Sequence, residues 1–299
     1  MGGIVGATLS EGGADVTLVD ASPQVVERIN AHGVTIERGG VERTVQIPAT
    51  LEPADVGAVE AVVFFVKCYH SDAAATLASP LVGRDTTVAT LQNGWGNGDV
   101  LARHFSAEQI VIGVTYHSGT LAGPGHVRHT NTSDAPTYIG PYIGDALGPA
   151  EALAAAVRSG GLRADARSDI RTEIWKKLVL NSSALPTSAI TRSTAGKLTQ
   201  VSTMRQLVDG LISETVAVGR AQGFEIGESE RREAVHSILA AAGDGKASML
   251  QDVEASRRTE IDVINGAVVR VAEQVGVEVP LNRTMVALIA GYEAANGLV

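Results

Sequence analysis

The run Ala61-Val-Val-Phe-Phe-Val66 most limits what this chain can fold into. An apolar stretch of strand length with no polar alternation must be covered on both faces, which calls for helices on either side of a sheet. Thr86–Leu91 and Gln109–Thr115 read as further strands of the same kind, and Asp15–Asp20 as an earlier one. Between them, Pro23–Ala31 reads as a helix stopped at Gly33, and His70–Leu77 as another. Val34–Ile47 reads as a hairpin turning at Gly39-Gly40, and His126–Asn131 and Thr137–Gly140 as shorter β segments. This alternation predicts an α/β, doubly wound, mainly parallel sheet.

From about residue 149 the pattern becomes helical, near 149–159, 168–185, 200–222, 228–242, 247–275 and 281–296, with no convincing strands between. We expect an α/β domain over 1–164 and an all-helical domain over 165–299, with a ligand cleft between them.

Composition narrows the class. Apolar residues make up 44% of the 299 and charged residues 19%, so a chain of this length buries a real core. A net charge of −9 argues against nucleic acid or an anionic membrane as partner. The single cysteine, Cys68, cannot form an internal disulfide, which suits a reducing compartment. With no signal-like or membrane-length apolar segment in view, the expected setting is the cytoplasm.

The chain opens on Met1-Gly2-Gly3-Ile4-Val5-Gly6 and reaches Asp20 at the end of the first strand. A dinucleotide-binding unit needs a strand, then G-x-G-x-x-G opening a helix, then a second strand ending in an acid for the ribose hydroxyl. Gly2, Gly3 and Asp20 fit the second half of that fingerprint. The first strand and first two glycines are absent from this sequence, so a natural chain longer by roughly 8–12 residues is expected. The plainer reading of Asp20 is a cap for the following helix. Lys67 ends a buried strand, where a phosphate contact competes with plain solvent exposure.

Two helical segments carry polar groups on apolar faces. In Arg171-Thr-Glu-Ile-Trp-Lys-Lys-Leu-Val-Leu-Asn181, Lys177 and Asn181 are four apart and share a side with Ile174. A lysine there loses hydration, which lowers its pKa and suits proton transfer, although snorkelling would also account for it. Lys176 points about 100° away and reads as an ordinary surface lysine. Glu260 shares a helical face with Ile264, Ala267 and Val271 and therefore needs a partner, a lysine being the obvious one; a charge cluster at a helix start is the alternative. Asn93 ends a strand where open α/β sheets place ligands, or simply begins the Asn93-Gly94 turn. His117, His126 and His129 do not form a ligand pattern, since 126 and 129 fall on opposite faces of a strand; no metal is expected.

Taken together, Glu173–Asn181, Ser248-Met-Leu-Gln-Asp252 and Thr259–Gly266, with Asn93-Gly94 and Gly113-Val-Thr115, resemble the ketopantoate reductase (2-dehydropantoate 2-reductase) family over nearly the whole chain. The resemblance implies a Rossmann-type domain followed by a helical one, and reduction of a small-molecule 2-oxo acid with NADPH, NAD being the alternative. It implies Lys177 as general acid, Glu260 as its partner or a substrate contact, Asn181 and Ser248 as substrate-binding, and Asn93 near the nicotinamide end. Gly2, Gly3, Asp20 and Lys67 would meet the cofactor, and a homodimer is compatible with the helical domain. Two departures stand out. Leu185-Pro186 replaces the family's common Asn-Pro, exchanging a hydrogen-bonding contact for an apolar one, so a 2-oxo acid with a more apolar tail becomes a candidate beside ketopantoate. Ala21 stands where NADPH-preferring relatives often carry a basic residue. Competing readings are another two-domain dehydrogenase acting on a hydroxy acid or imine, and a non-catalytic ligand-binding relative with an incomplete cofactor site.

Overall fold

The structure is a computed structural model and describes residues 1–130 and 134–299. The chain divides into two compact units, Met1–Gln92 with Asn97–Ile170, and Asn93–Gly96 with Arg171–Val299. No helix among the described residues is long and apolar enough to cross a membrane.

In the first unit the elements run α1 (Gly2–Glu11), β1 (Leu18–Val19), α2 (Pro23–His32), β2 (Val34–Arg38), β3 (Val41–Val45), β4 (Ala49–Thr50), β5 (Ala61–Phe64), α3 (Ser71–Leu77), β6 (Thr87–Thr90), α4 (Asn97–Leu101), β7 (Ile110–Thr115), β8 (Gly119–Gly123), β9 (His126–His129), β10 (Thr137–Pro141), α5 (Gly148–Ser159) and β11 (Ala164–Ala166). The central sheet has the order β11-β10-β7-β6-β5, with β5, β6 and β7 parallel and β10 antiparallel to β7. Val88, Ala89, Val111 and Ile139 are buried within it, whereas the apolar run 61–66 is not covered on both faces as expected: β5 stands at the end of the sheet order, with Phe64 buried but Ala61 and Val66 exposed. A second sheet, β3-β2-β9-β8, carries the hairpin at Gly39-Gly40, and β1 pairs in parallel with β4. Helix α2 starts as its sequence dictates, with Ser22 Oγ accepting from Val25 N–H and Pro23 in the first turn.

Some boundaries differ from the sequence reading, each for a local reason. The strand expected over Asp15–Asp20 contracts to Leu18–Val19, because among the described residues it pairs with β4 alone. The segment expected to end at Asn131 is a strand over His126–His129; Asn131 itself lies outside the described residues. Between the helical segments 149–159 and 168–185, where no strand is expected, Ala164–Ala166 form β11 parallel to β10, and the first unit extends to Ile170.

Beside this sheet, His117 and His129 are almost fully buried, with His129 Nε2 3.0 Å from His117 Nδ1. Burial, then the neighbouring His117 and more distant Arg38 and Arg43, lower the His129 pKa from 6.5 to about 4. The unfolded chain thus binds a proton at this residue between those pH values and the folded chain does not. Stability should fall as pH drops from 6.5 towards 4, by about 3 kcal/mol, and the loss should flatten below 4. Urea unfolding across that range tests this, and His129→Asn should flatten the slope; an unchanged slope would show that other groups carry it.

The second unit is helical: α6 (Ile170–Thr191), α7 (Lys197–Gln200), α8 (Ser202–Ala221), α9 (Glu228–Ala242), α10 (Ser248–Glu254), α11 (Asn265–Val275) and α12 (Pro280–Ala295). Its core gathers Trp175, Leu178, Val179, Leu198, Ile212, Val216, Val268 and Ile289. The single helix expected over 247–275 is instead broken after Glu254. Ser256 takes φ 50°, and Arg257 N–H and Ser256 N–H donate to Asp252 O and Val253 O, the two reversed bonds of a Schellman stop. A serine occupies the left-handed position usually marked by glycine, so no breaker announced the end. Glu260 consequently does not head a helical stripe; it immediately precedes a single 3-10 turn over Ile261–Val263.

Candidate active site

Helix α6 is fixed by Trp175, which is fully buried and donates from Nε1 to Thr215 O at 3.0 Å. Two residues on, half-buried Lys177 donates from Nζ to Asn93 Oδ1 at 2.7 Å. Asn93 is delivered by the turn 93–96, whose Trp95 N–H donates to Val263 O at 2.8 Å, so the turn before α11 supports the lysine's partner. Burial lowers the Lys177 pKa from 10.5 to about 8, and the negative charge of Glu260 opposes the shift. Glu260 is itself buried. An ammonium held poorly hydrated, aimed by an amide oxygen and kept charged by a carboxylate can give up a proton near neutral pH.

One turn further along α6, Asn181 is 5% exposed, and its side-chain amide makes no hydrogen bond among the described residues. A nearly buried amide without a protein partner is a group suited to a ligand. Leu185, a further turn on, packs in the apolar core. Ser248 is exposed at the first position of α10, and no hydrogen bond among the described residues ties it to the others. Lys176 is not a free surface lysine: its Nζ lies 2.9 Å from Glu173 Oε1.

In the first unit, Gly2 and Gly3 open α1. A Cβ at Gly2 or Gly3 would make only ordinary contacts, whereas one at Gly6 would lie 2.7 Å from Leu18 Cδ2. Helix and strand thus come closest at Gly6, which completes a G-G-x-x-G run and was not among the expected cofactor contacts. Half-buried Lys67 is near enough to the start of α1 for its charge, after burial, to lower the pKa of the Met1 amino group. Asp20 is exposed, and its Oδ1 accepts from Ser22 N–H at 2.9 Å; the cap of α2 is Ser22, so Asp20 braces the residue that caps the helix and is not itself the cap. A ten-residue helix start beside a lysine, and an exposed carboxylate after a parallel strand, are donor and acceptor types that fit the phosphates and ribose of a pyridine dinucleotide.

Among the described residues one group, Glu37, Glu42 and His126, brings three candidate metal-ligand atoms within 4.8 Å of one another. Glu37 is already paired with Arg128 at 2.9 Å.

An α/β unit of parallel strands joined to a helical unit with a depressed-pKa lysine is the plan of a nucleotide-dependent oxidoreductase. The sequence model for "Ketopantoate reductase PanE/ApbA" matches residues 1–144, and that for its C-terminal region matches 169–293. The chain belongs to the ketopantoate reductase family. It is 30% identical to a 2-dehydropantoate 2-reductase of Archaeoglobus fulgidus, over 98% of this chain and 95% of that protein. Among solved structures, a PanE/ApbA family ketopantoate reductase from Ralstonia eutropha JMP134 superposes with TM-score 0.88 at 30% identity, covering 98% of this chain and 95% of the other. A D-mandelate dehydrogenase in a ternary complex with NADH and anilino(oxo)acetate superposes with TM-score 0.92 at 26% identity, covering 99% and 96%.

Proposed function

We propose that this chain reduces a 2-oxo acid to the 2-hydroxy acid, with Lys177 as the general acid. The observation that carries the reading is the bond from Lys177 Nζ to Asn93 Oδ1 on a lysine whose pKa has fallen to about 8. A reduced nicotinamide, when bound, supplies the hydride that the carbonyl carbon accepts. The protein's share is to polarise the carbonyl oxygen through the Lys177 ammonium and to hand it a proton as negative charge develops there. Asn93 holds Nζ in one direction, and Glu260 favours the charged form against desolvation. The unpartnered amide of Asn181 is available to a substrate oxygen, and the Ser248 hydroxyl to the substrate's far end.

Leu185 one turn beyond Asn181 supports a substrate whose carbon tail is more apolar than that of ketopantoate. The D-mandelate dehydrogenase bound to anilino(oxo)acetate is consistent with this, since that ligand joins a 2-oxo acid to an aromatic ring. For the nucleotide, Gly2, Gly3 and Lys67 suit the phosphates of NADPH, the cofactor the family resemblance implies. NADH is the second reading, favoured by Asp20, whose exposed carboxylate would accept from a ribose 2′-hydroxyl and repel a 2′-phosphate.

A panel of 2-oxo acids that includes ketopantoate and aromatic 2-oxo acids, assayed with each nucleotide, tests both. We expect turnover with at least one acid, kcat/KM rising with apolar tails. No turnover with any acid and either nucleotide would overturn the reading; faster turnover of ketopantoate would overturn the role given to Leu185.

A further inference from the structure

We infer that Glu293, near the end of α12, is a positioning residue that sets the place of Glu260 by gripping the main chain beside it. The inference rests on the reading of Lys177 and Glu260 as acid and partner. Glu260 follows a helix stop and precedes a single 3-10 turn, so no regular ladder of main-chain bonds fixes it. What fixes it comes from elsewhere in the chain. Thr259 N–H donates to Glu293 Oε1 at 2.6 Å, and Thr259 Oγ1 accepts from Ile261 N–H at 3.2 Å, so both neighbours of Glu260 are tied. The preceding residue on the helix, Tyr292, donates its hydroxyl to Val253 O at 2.9 Å, holding the end of α10 to α12 as well.

Glu293 is an expensive residue for this place. It is 3% exposed, and it sits in the last turn of α12, where the helix dipole disfavours a negative charge. Its side chain has one hydrogen bond among the described residues, the one to Thr259 N–H. A leucine would fill the volume at less cost, so the carboxylate is explained by the bond it makes. A charge-assisted bond of this length is strong and directional, and holds the chain at residue 259 more firmly than packing alone. Through it the C-terminal helix sets the distance from Glu260 to Lys177, on which the charge state of the lysine depends.

The test uses the full chain with Glu293→Leu, Glu293→Asp and Glu293→Gln. Leucine removes the acceptor, aspartate withdraws it by one methylene, and glutamine keeps an oxygen at the same reach. Folding is checked by thermal melting and circular dichroism. The Lys177 pKa is read without substrate, from the pH dependence of its acylation measured by mass spectrometry on the peptide that contains it; the groups on the page that act on Lys177 are Glu260 and Asn93. We expect Glu293→Leu and Glu293→Asp to lower that pKa and to lower kcat roughly 10- to 100-fold with a smaller change in KM. Glu293→Gln should keep both close to the starting values. In a Glu260→Gln background, Glu293→Asp should have no further effect on the lysine. An unshifted lysine in folded Glu293→Asp, or a glutamine variant as impaired as aspartate, would overturn the inference. A shifted lysine in a protein that reduces no 2-oxo acid would uphold the positioning and overturn the proposed reaction.

Discussion

Replacing Lys177 by methionine should lower kcat for 2-oxo acid reduction by about 10²–10⁴-fold, the usual contribution of a positioned general acid. Lys176→Met should cost only a few-fold, since Lys176 is spent on its ion pair with Glu173 at 2.9 Å. The two adjacent lysines therefore form an internal control: equal losses would mean that the wrong one has been assigned. The pH profile carries the same information with a fixed sign. A lysine with a pKa of about 8 is charged at pH 7, so the rate of reduction should be full below that value and fall as pH rises through it. The reverse oxidation needs the neutral amine and should rise over the same interval. Stability should move the other way from activity. Because the folded-state pKa lies below the ordinary 10.5, the fold carries a cost for the charged form at neutral pH that fades as pH rises from about 8 to 10.5. Lys177→Met removes that cost and keeps the apolar stem, so its melting temperature should equal or exceed that of the parent. An inactive variant that melts lower would point to a structural lysine.

What the sequence discloses, and what it hides, follows from how far apart the interacting groups lie. The central strands were legible because β5 and β7 are apolar without alternation, and α2 because Ser22, Pro23 and Gly33 mark its ends with local chemistry. The shared face of Lys177 and Asn181 was legible from their four-residue spacing. The bond from Lys177 to Asn93 spans 84 residues, and that from Thr259 to Glu293 spans 34; no periodicity encodes either. Glu293 reads in the sequence as one more acid near a helix end. The break after α10 was hidden for a different reason, since Ser256 occupies a left-handed position at an energetic cost that glycine would not incur. Strand β11 is Ala-Asp-Ala, too short and too polar to show a pattern, and exists because β10 offers it an edge.

Gly94 shows the same limit in its sharpest form, and its replacement by alanine should have a large effect. In the sequence, Asn93-Gly94 is an ordinary turn pair. In the fold, Gly94 has φ 94°, and a Cβ there would lie 2.4 Å from Val263 O and 2.6 Å from Val263 Cγ2. The methyl of alanine has no space on this side, because the turn 93–96 rests directly on the one that precedes α11, through Trp95 N–H to Val263 O. Strain at positive φ adds about 1–2 kcal/mol and overpacking about 1–3, so Gly94→Ala should destabilise the chain by about 2–5 kcal/mol. Activity should suffer more than stability suggests. Displacing the turn moves Asn93 from Lys177 Nζ and withdraws Trp95 from Trp175, against which it packs edge-on with centroids 5.0 Å apart. These two are the only tryptophans of the chain, so intrinsic fluorescence reads the displacement directly. Gly94→Ala should shift the emission to longer wavelength and lower kcat, whereas Gly123→Ala, with no atom within 4 Å of its added methyl, should change neither. A folded Gly94→Ala protein with parental emission and parental kcat would mean that the turn is not what holds Asn93 against the lysine.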